Sequence, residues 1–494
     1  MCLLAHRTLS ITLALSFTAL GACSSTEAGG GGGPTPDAGA DTSVADASVD
    51  TGSDAGSDAV ADAGEAPVGT KLGTGIIRGV TTDDFAIVVD TAVTAVPLAG
   101  GAPQKIVDGV DVKVASVVVA GNVALVWSTG NNGPLYVWTA AHGAVKLADA
   151  SSNNFTRQWL SVSPDRTRVL FSANVTSTSI DFAVANVDGT GKATLTAGLT
   201  GTAGFGLKWA GHYAIVNVGR NGAVDAYTFD ANASWAMASI ATGAHGAEVS
   251  PLGNSTVDLV RAGNDDLLAY PLGGGSPTTL DTADDSIDVL RDGTTVLYAT
   301  TAGALKRTSV TGGTPTTLVA SGVDVSPNNG ARFFSPDEKF VLYPNTAGSV
   351  VGLASVVATS TPTTFAGSLN FTTDAFTADS AFALYHTSGR LPLDVIAVPV
   401  AGGMAKTVAT GGAAWHWALG GAKLLFAGDQ RTSAIANVPA FALKTTDLAT
   451  SAPPKTIATR VLGSFYTSSA KDKVVYTWLG ATGEAPFTTY VTSL

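Results

Sequence analysis

Two stretches set the rhythm of the chain. Residues 160 to 174 read LSVSPDRTRVLFSAN and residues 332 to 345 read RFFSPDEKFVLYPN: a short apolar run, a polar turn, then a run of branched and aromatic residues. Weaker copies are AEVSPLGNSTVDLV (247 to 260), DVLRDGTTVLYAT (288 to 300), DAFTADSAFALYHT (374 to 387) and SFYTSSAKDKVVYTW (464 to 478). Each predicts strand, tight turn, strand, because a proline followed by aspartate suits a turn, whereas VLF and FVLY fit buried strands. A second pattern falls between these. TAVPLAGGAPQKIV (94 to 107), LAYPLGGGSPTTL (268 to 280), KRTSVTGGTPTTLV (306 to 319) and IAVPVAGGMAKTVA (396 to 409) put a glycine pair between two strands, with VANVDGTGKATLTA (184 to 197) as a looser copy.

Joined in order, the two patterns give one unit: strand A, polar turn, strand B, loop, strand C, Gly-Gly turn, strand D. The second turn recurs near residues 100, 142, 189, 232, 274, 312, 360, 402 and 450, at intervals of about 38 to 48 residues, the period of a four-stranded propeller blade. The expected fold is all-β: a β-propeller of about eight to ten four-stranded units in one ring, the alternative being two smaller propellers divided near Gly246. The last unit, 463 to 494, lacks a fourth strand. An N-terminal strand such as GIIRGV (75 to 80) is the expected donor that closes the ring and removes its open edges. The S-P-D turns before apolar strands resemble TolB-type, WD40-like (PD40) propeller repeats, whose signature is S-P-D-G. Arg166 and Glu338 stand where that signature has glycine.

The first 66 residues follow another pattern. Arg7 precedes TLSITLALSFTAL, an uncharged run long enough for a signal-peptide core and short for a spanning helix. Leu20 to Cys23, LGAC, resembles the lipobox of bacterial lipoproteins. That resemblance implies cleavage after residue 22, acyl chains on Cys23, and membrane attachment through them. Ser24 stands in place of the aspartate that retains such proteins at the inner membrane, so the resemblance implies the outer membrane, on either its periplasmic or its surface side. An ordinary signal peptide with an incidental cysteine is the alternative.

Residues 24 to 66 contain a glycine run and aspartates about every four residues, without lysine, arginine or an aromatic ring. Like charges at that spacing oppose a helix, and no apolar stripe drives folding. A disordered tether is expected, roughly 35 Å between its ends by flexible-chain scaling. The expected organisation is signal peptide 1–22, lipidated cysteine and tether 23–66, propeller 67–494.

Charge and cysteine count narrow the chemistry. The chain's net charge of −12 is concentrated in the tether: nine of 39 acidic residues lie there, leaving thirty against twenty-six basic ones in the body. A nearly neutral body without a basic cluster argues against a nucleic-acid partner. Cys2 leaves with the signal peptide and Cys23 carries lipid, so disulfides, a cysteine nucleophile and a thiolate metal site are excluded from the body.

The body's histidines, His142, His212, His245, His386 and His416, share no metal-ligand spacing, and no cofactor or metal is expected. No G-x-S-x-G is present, and GTGKAT (189 to 194) lacks the first glycine and final hydroxyl of a phosphate loop, so Lys192 reads as part of an outer hairpin. The acidic group Asp281, Asp284, Asp285 and Asp288 reads as a solvated loop. In AAWHWAL, alternation along a strand places Trp415 and Trp417 on one face and His416 on the other: a candidate aromatic binding surface, or inter-blade packing like that of Trp159, Trp209 and Phe376. Two functions remain. One is a non-enzymatic envelope lipoprotein whose propeller binds protein, peptide or glycan; the other is a hydrolase or lyase with carboxylates converging in a central funnel, unseen by any linear motif.

Overall fold

The computed structural model describes residues 67–494 except 112–114, 130–132, 152–159, 177–178, 200–204, 221–222, 245, 250–256, 262–265, 283, 325–332, 348–349, 360, 370–374, 388–392, 413–415, 432–439, 451 and 480–486. The expected signal peptide and tether, Cys23, Trp159 and Trp415 therefore lie outside the described residues.

The body is a propeller of ten blades. Seven are separate four-stranded antiparallel sheets, over 76–108, 116–151, 160–199, 205–244, 246–282, 284–319 and 333–366. The eighth, over 382–412, has three strands, and two isolated bridges, Ser368 to His386 and Phe376 to Ala383, occupy the innermost place. Blades 9 and 10 form one seven-stranded sheet because Lys455–Thr467 serves both. Its first half pairs with Ala440–Asp447 as the outer strand of blade 9, and its second half pairs with Lys473–Trp478 as the inner strand of blade 10.

A single ring follows from packing between blades. Apolar clusters join every consecutive pair, from blades 1 and 2 through to blades 9 and 10. A further cluster joins blade 10 to blade 1 through Val475, Val491, Ile77 and Val88. No boundary falls at Gly246: Leu272 of blade 5 packs on Ala210 and Ile215 of blade 4, and its carbonyl accepts from Thr228 Oγ1 at 2.8 Å. Strand B is the most apolar strand of a unit because it is covered on both sides. Val123–Trp127 is buried at all five positions, and Phe171, Tyr298, Tyr343, Phe426 and Tyr476 fill the corresponding place elsewhere. Each such side chain contributes about 2–3 kcal/mol of burial.

The closing strand differs from the expected one. Ile76–Val80 is the inner strand of blade 1, and the fourth strand of blade 10 is Thr70–Thr74, which pairs with Thr488–Ser493. GIIRGV is apolar because an inner strand packs between blades, whereas TKLGT is an edge strand with one half-exposed leucine. Tyr476 donates its hydroxyl to the Val68 carbonyl at 2.5 Å and secures the start of this strand.

The four Gly-Gly turns share one geometry. Gly274 and Gly275 lie at φ +88° and +132°, and the pairs at 100, 312 and 402 take nearly the same values. In each, the first glycine N–H donates at 3.0–3.1 Å to the carbonyl three residues earlier, Pro97, Pro271, Ser309 or Pro399. They reverse strand C into strand D. GTGKAT is the same corner in blade 3: Lys192 Nζ donates to the Leu147 carbonyl of blade 2 at 2.8 Å and lies over the Phe171 ring. The acidic group is no loop. Asp281 lies in Thr278–Thr282 and accepts from Lys306 Nζ at 2.9 Å, and the other three aspartates lie in Asp284–Val289.

Candidate functional site

Strands that run alternately up and down put every A–B and C–D turn at one end of the ring and every B–C and D–A loop at the other. The first end is laced together. In nine blades the A–B turn has one residue in the left-handed region, φ +55° to +66°: Asp84, Gly121, Arg166, Gly211, Gly293, Glu338, Ser380, Gly421 and Lys471. Five are not glycine, and each of these reaches toward the blades before it. Asp84 Oδ1 accepts from Ser469 N at 2.8 Å, Glu338 from Arg291 N at 3.0 and 3.1 Å, and Ser380 Oγ from Asp337 N at 3.2 Å. Lys471 Nζ donates to the Ala418 carbonyl at 2.6 Å. Arg166 crosses Gly121 of blade 2 and donates to Thr82 Oγ1 of blade 1 at 3.3 Å. Departure from S-P-D-G thus replaces a relaxed backbone with an inter-blade clasp.

The turn itself is held by side chains. Ser163 Oγ donates to Asp165 Oδ1 at 2.6 Å and accepts from Arg168 N at 2.9 Å, and Ser335 repeats this with Asp337 and Phe340. Burial opposes ionisation of Asp165, but hydrogen bonds from Ser163 and Thr167 outweigh it and hold the carboxyl below its usual range.

At this end, blades 2 and 3 form a cleft of about 500 Å³. Its origin is a difference in turn length. Blade 2 turns from A to B in two residues and from C to D in three, whereas blade 3 uses five and six. The long turns stand above the short ones, and the step is the cleft. Asn122 and His142 line the low side, and Asp165, Arg166, Arg168, Asn186 and Asp188 the high side. Arg168 is steadied by the Trp235 ring, 5.6 Å from its guanidinium carbon. Asp188 accepts from the Thr190 hydroxyl at 2.6 Å and its N–H at 2.9 Å; these bonds, with nearby His142, hold its carboxyl low.

His416 and Trp417, predicted as a binding surface, lie on the inner strand of blade 9, with backbone paired to Phe426 and Leu425. Trp209 packs between blades, donating Nε1–H to the Ser161 carbonyl at 3.1 Å. Asp165, Arg166 and Arg168 lie in the S-P-D repeat and Asn186 and Asp188 in the looser glycine-turn repeat, but both repeats marked turns and neither marked a binding site. His212 Nε2 lies 3.4 Å from Asp230 Oδ1 at the rim of blade 4. Among the described residues no three His, Cys, Asp or Glu side chains gather as a metal site.

No protein-family model matches the chain, and no curated protein matches it by sequence. Among solved structures it is similar to an oligogalacturonate lyase in complex with manganese, 11% identical over 57% of this chain and 90% of that one, TM-score 0.34. It is also similar to a prolyl endopeptidase, 13% identical over 68% and 55% of the two chains, TM-score 0.38. A third is a protein designated TolB from Agrobacterium tumefaciens, 16% identical over 52% and 94%, TM-score 0.24. The β-propeller class is defined by the ten blades and their packing.

Proposed function

We propose that this protein is a non-enzymatic binding module of the bacterial cell envelope. Cys23 carries the lipid that anchors it, to the outer membrane in preference to the inner, and the propeller holds a protein, peptide or glycan partner. The carrying observation is the state of the carboxylates in the cleft. Asp165 and Asp188 are both held below the ordinary range by hydrogen bonds from their own turns. A general acid needs the opposite shift, so neither serves as one, and each is engaged as a hydrogen-bond acceptor within its own turn.

The enzyme reading has one observation in its favour, the His212–Asp230 pair. Asp230 already accepts from Asn232 N at 2.8 Å, which ties it to the turn that follows. Affinity capture from envelope fractions with residues 67–494 tests the binding role: a partner retained in stoichiometric amount supports it, and an empty column contradicts it. Metabolic labelling with a palmitate analogue tests the anchor, label being lost in Cys23→Ser.

A further inference from the structure

We infer that the cleft between blades 2 and 3 binds an uncharged saccharide. This rests on the binding-module reading and names the ligand class of that site. Charge narrows the ligand first. The walls carry two guanidinium groups, Arg166 and Arg168, and two carboxylates, Asp165 and Asp188, both held in the ionised form. An anionic ligand meets both carboxylates, and a cationic ligand meets both arginines. A neutral ligand meets neither penalty and can use all four groups, since charged donors and acceptors make the stronger hydrogen bonds.

The remaining lining is Asn122, Asn186, His142, Thr139 and Thr167 together with Ala141 and Val187, so it suits a ligand that combines hydroxyls with apolar ring faces, as sugar rings do. The volume, about 500 Å³, lies in the range of small-ligand pockets, roughly 300–1,000 Å³. It suits a few sugar rings and is too small for a folded partner.

The donors are also fixed in advance. Arg166 is held by Thr82 Oγ1, Arg168 by Trp235, and Asn186 Nδ2 by Thr190 Oγ1 at 3.0 Å, which leaves the Asn186 carbonyl oxygen available. Groups already ordered lose little freedom when a ligand arrives.

The test uses three tetrasaccharides against the body, residues 67–494: neutral chitotetraose, its cationic de-acetylated form, and anionic tetragalacturonate. A neutral glycan array covers other stereochemistries. The expected result is saturable binding of a neutral glycan at least tenfold tighter than either charged oligomer. His142→Ala combined with Asn122→Ala should weaken it at least tenfold without lowering the melting temperature. Preference for a charged oligomer, or no neutral glycan bound anywhere on the array, overturns the inference. If the body still captures an envelope protein in that case, the binding-module reading stands; if it captures nothing, both fall.

Discussion

Glu338 allows the two consequences of a missing turn glycine to be separated. Its backbone sits at φ +55°, a conformation that costs a residue with a Cβ about 1–2 kcal/mol. Its carboxylate accepts from Arg291 N at 3.0 and 3.1 Å. A hydrogen bond to a charged acceptor contributes about 1.5–3 kcal/mol. The Glu338 side chain is 19% exposed and that of Arg291 49%, so screening reduces the expected share to about 1 kcal/mol.

Glu338→Ala keeps the strain and loses the bond, for a destabilisation of about 1 kcal/mol. Glu338→Gly loses the same bond but releases the strain, and should lie about 1 kcal/mol above the alanine variant, close to the parent protein. Urea midpoints for the three proteins give the ranking, and hydrogen exchange at the Arg291 amide gives the local effect, which should accelerate in both variants. If Glu338→Gly proves more stable than the parent by a full kcal/mol with unchanged exchange at Arg291, the clasp contributes nothing and the girdle is incidental.

Gly275→Val should lower stability by about 1–3 kcal/mol, because φ +132° is a region valine rarely adopts; a scanning calorimetry midpoint equal to that of the parent refutes the turn assignment. Asp165, Asp292 and Asp337 hold their A–B turns with carboxyls below the usual range, where turn hydrogen bonds overcome the opposing effect of burial. The unfolded chain then takes up these protons at higher pH than the native one, so stability is flat above about pH 5 and falls as pH drops below about 4. In urea titrations at stepped pH, Asp165→Asn with Asp337→Asn should flatten that fall, and an unchanged slope contradicts it. Removing residues 67–74 exposes the Thr488–Ser493 edge and takes Val68 from Tyr476. Size-exclusion chromatography should show self-association that a peptide of residues 67–75 reverses; a monomer as stable as the parent shows that the strand closes nothing.

Much of the ring was legible because its corners need special chemistry. The nine C–D turn positions read from glycine pairs and their degenerate forms all fall between strands C and D. Positive φ at Gly100, Gly274, Gly312 and Gly402 is a requirement that sequence displays directly. The closing strand was not legible, since TKLGT has one large apolar residue and owes its place to the unpaired edge left by blade 10. The acidic stretch from Asp281 was misread as a loop because polarity alone carries no period, whereas Asp281 is kept in its strand by Lys306 and Tyr298 of the next blade. The cleft was illegible for a different reason: it depends on two adjacent blades having turns of unequal length, a comparison no single motif contains.

One chain closes one ring of ten blades. Electron microscopy of the purified body, residues 67–494, viewed along the ring axis, should show a single annulus with ten radial arms around one channel; two smaller rings side by side, or an open arc, would overturn the single ring.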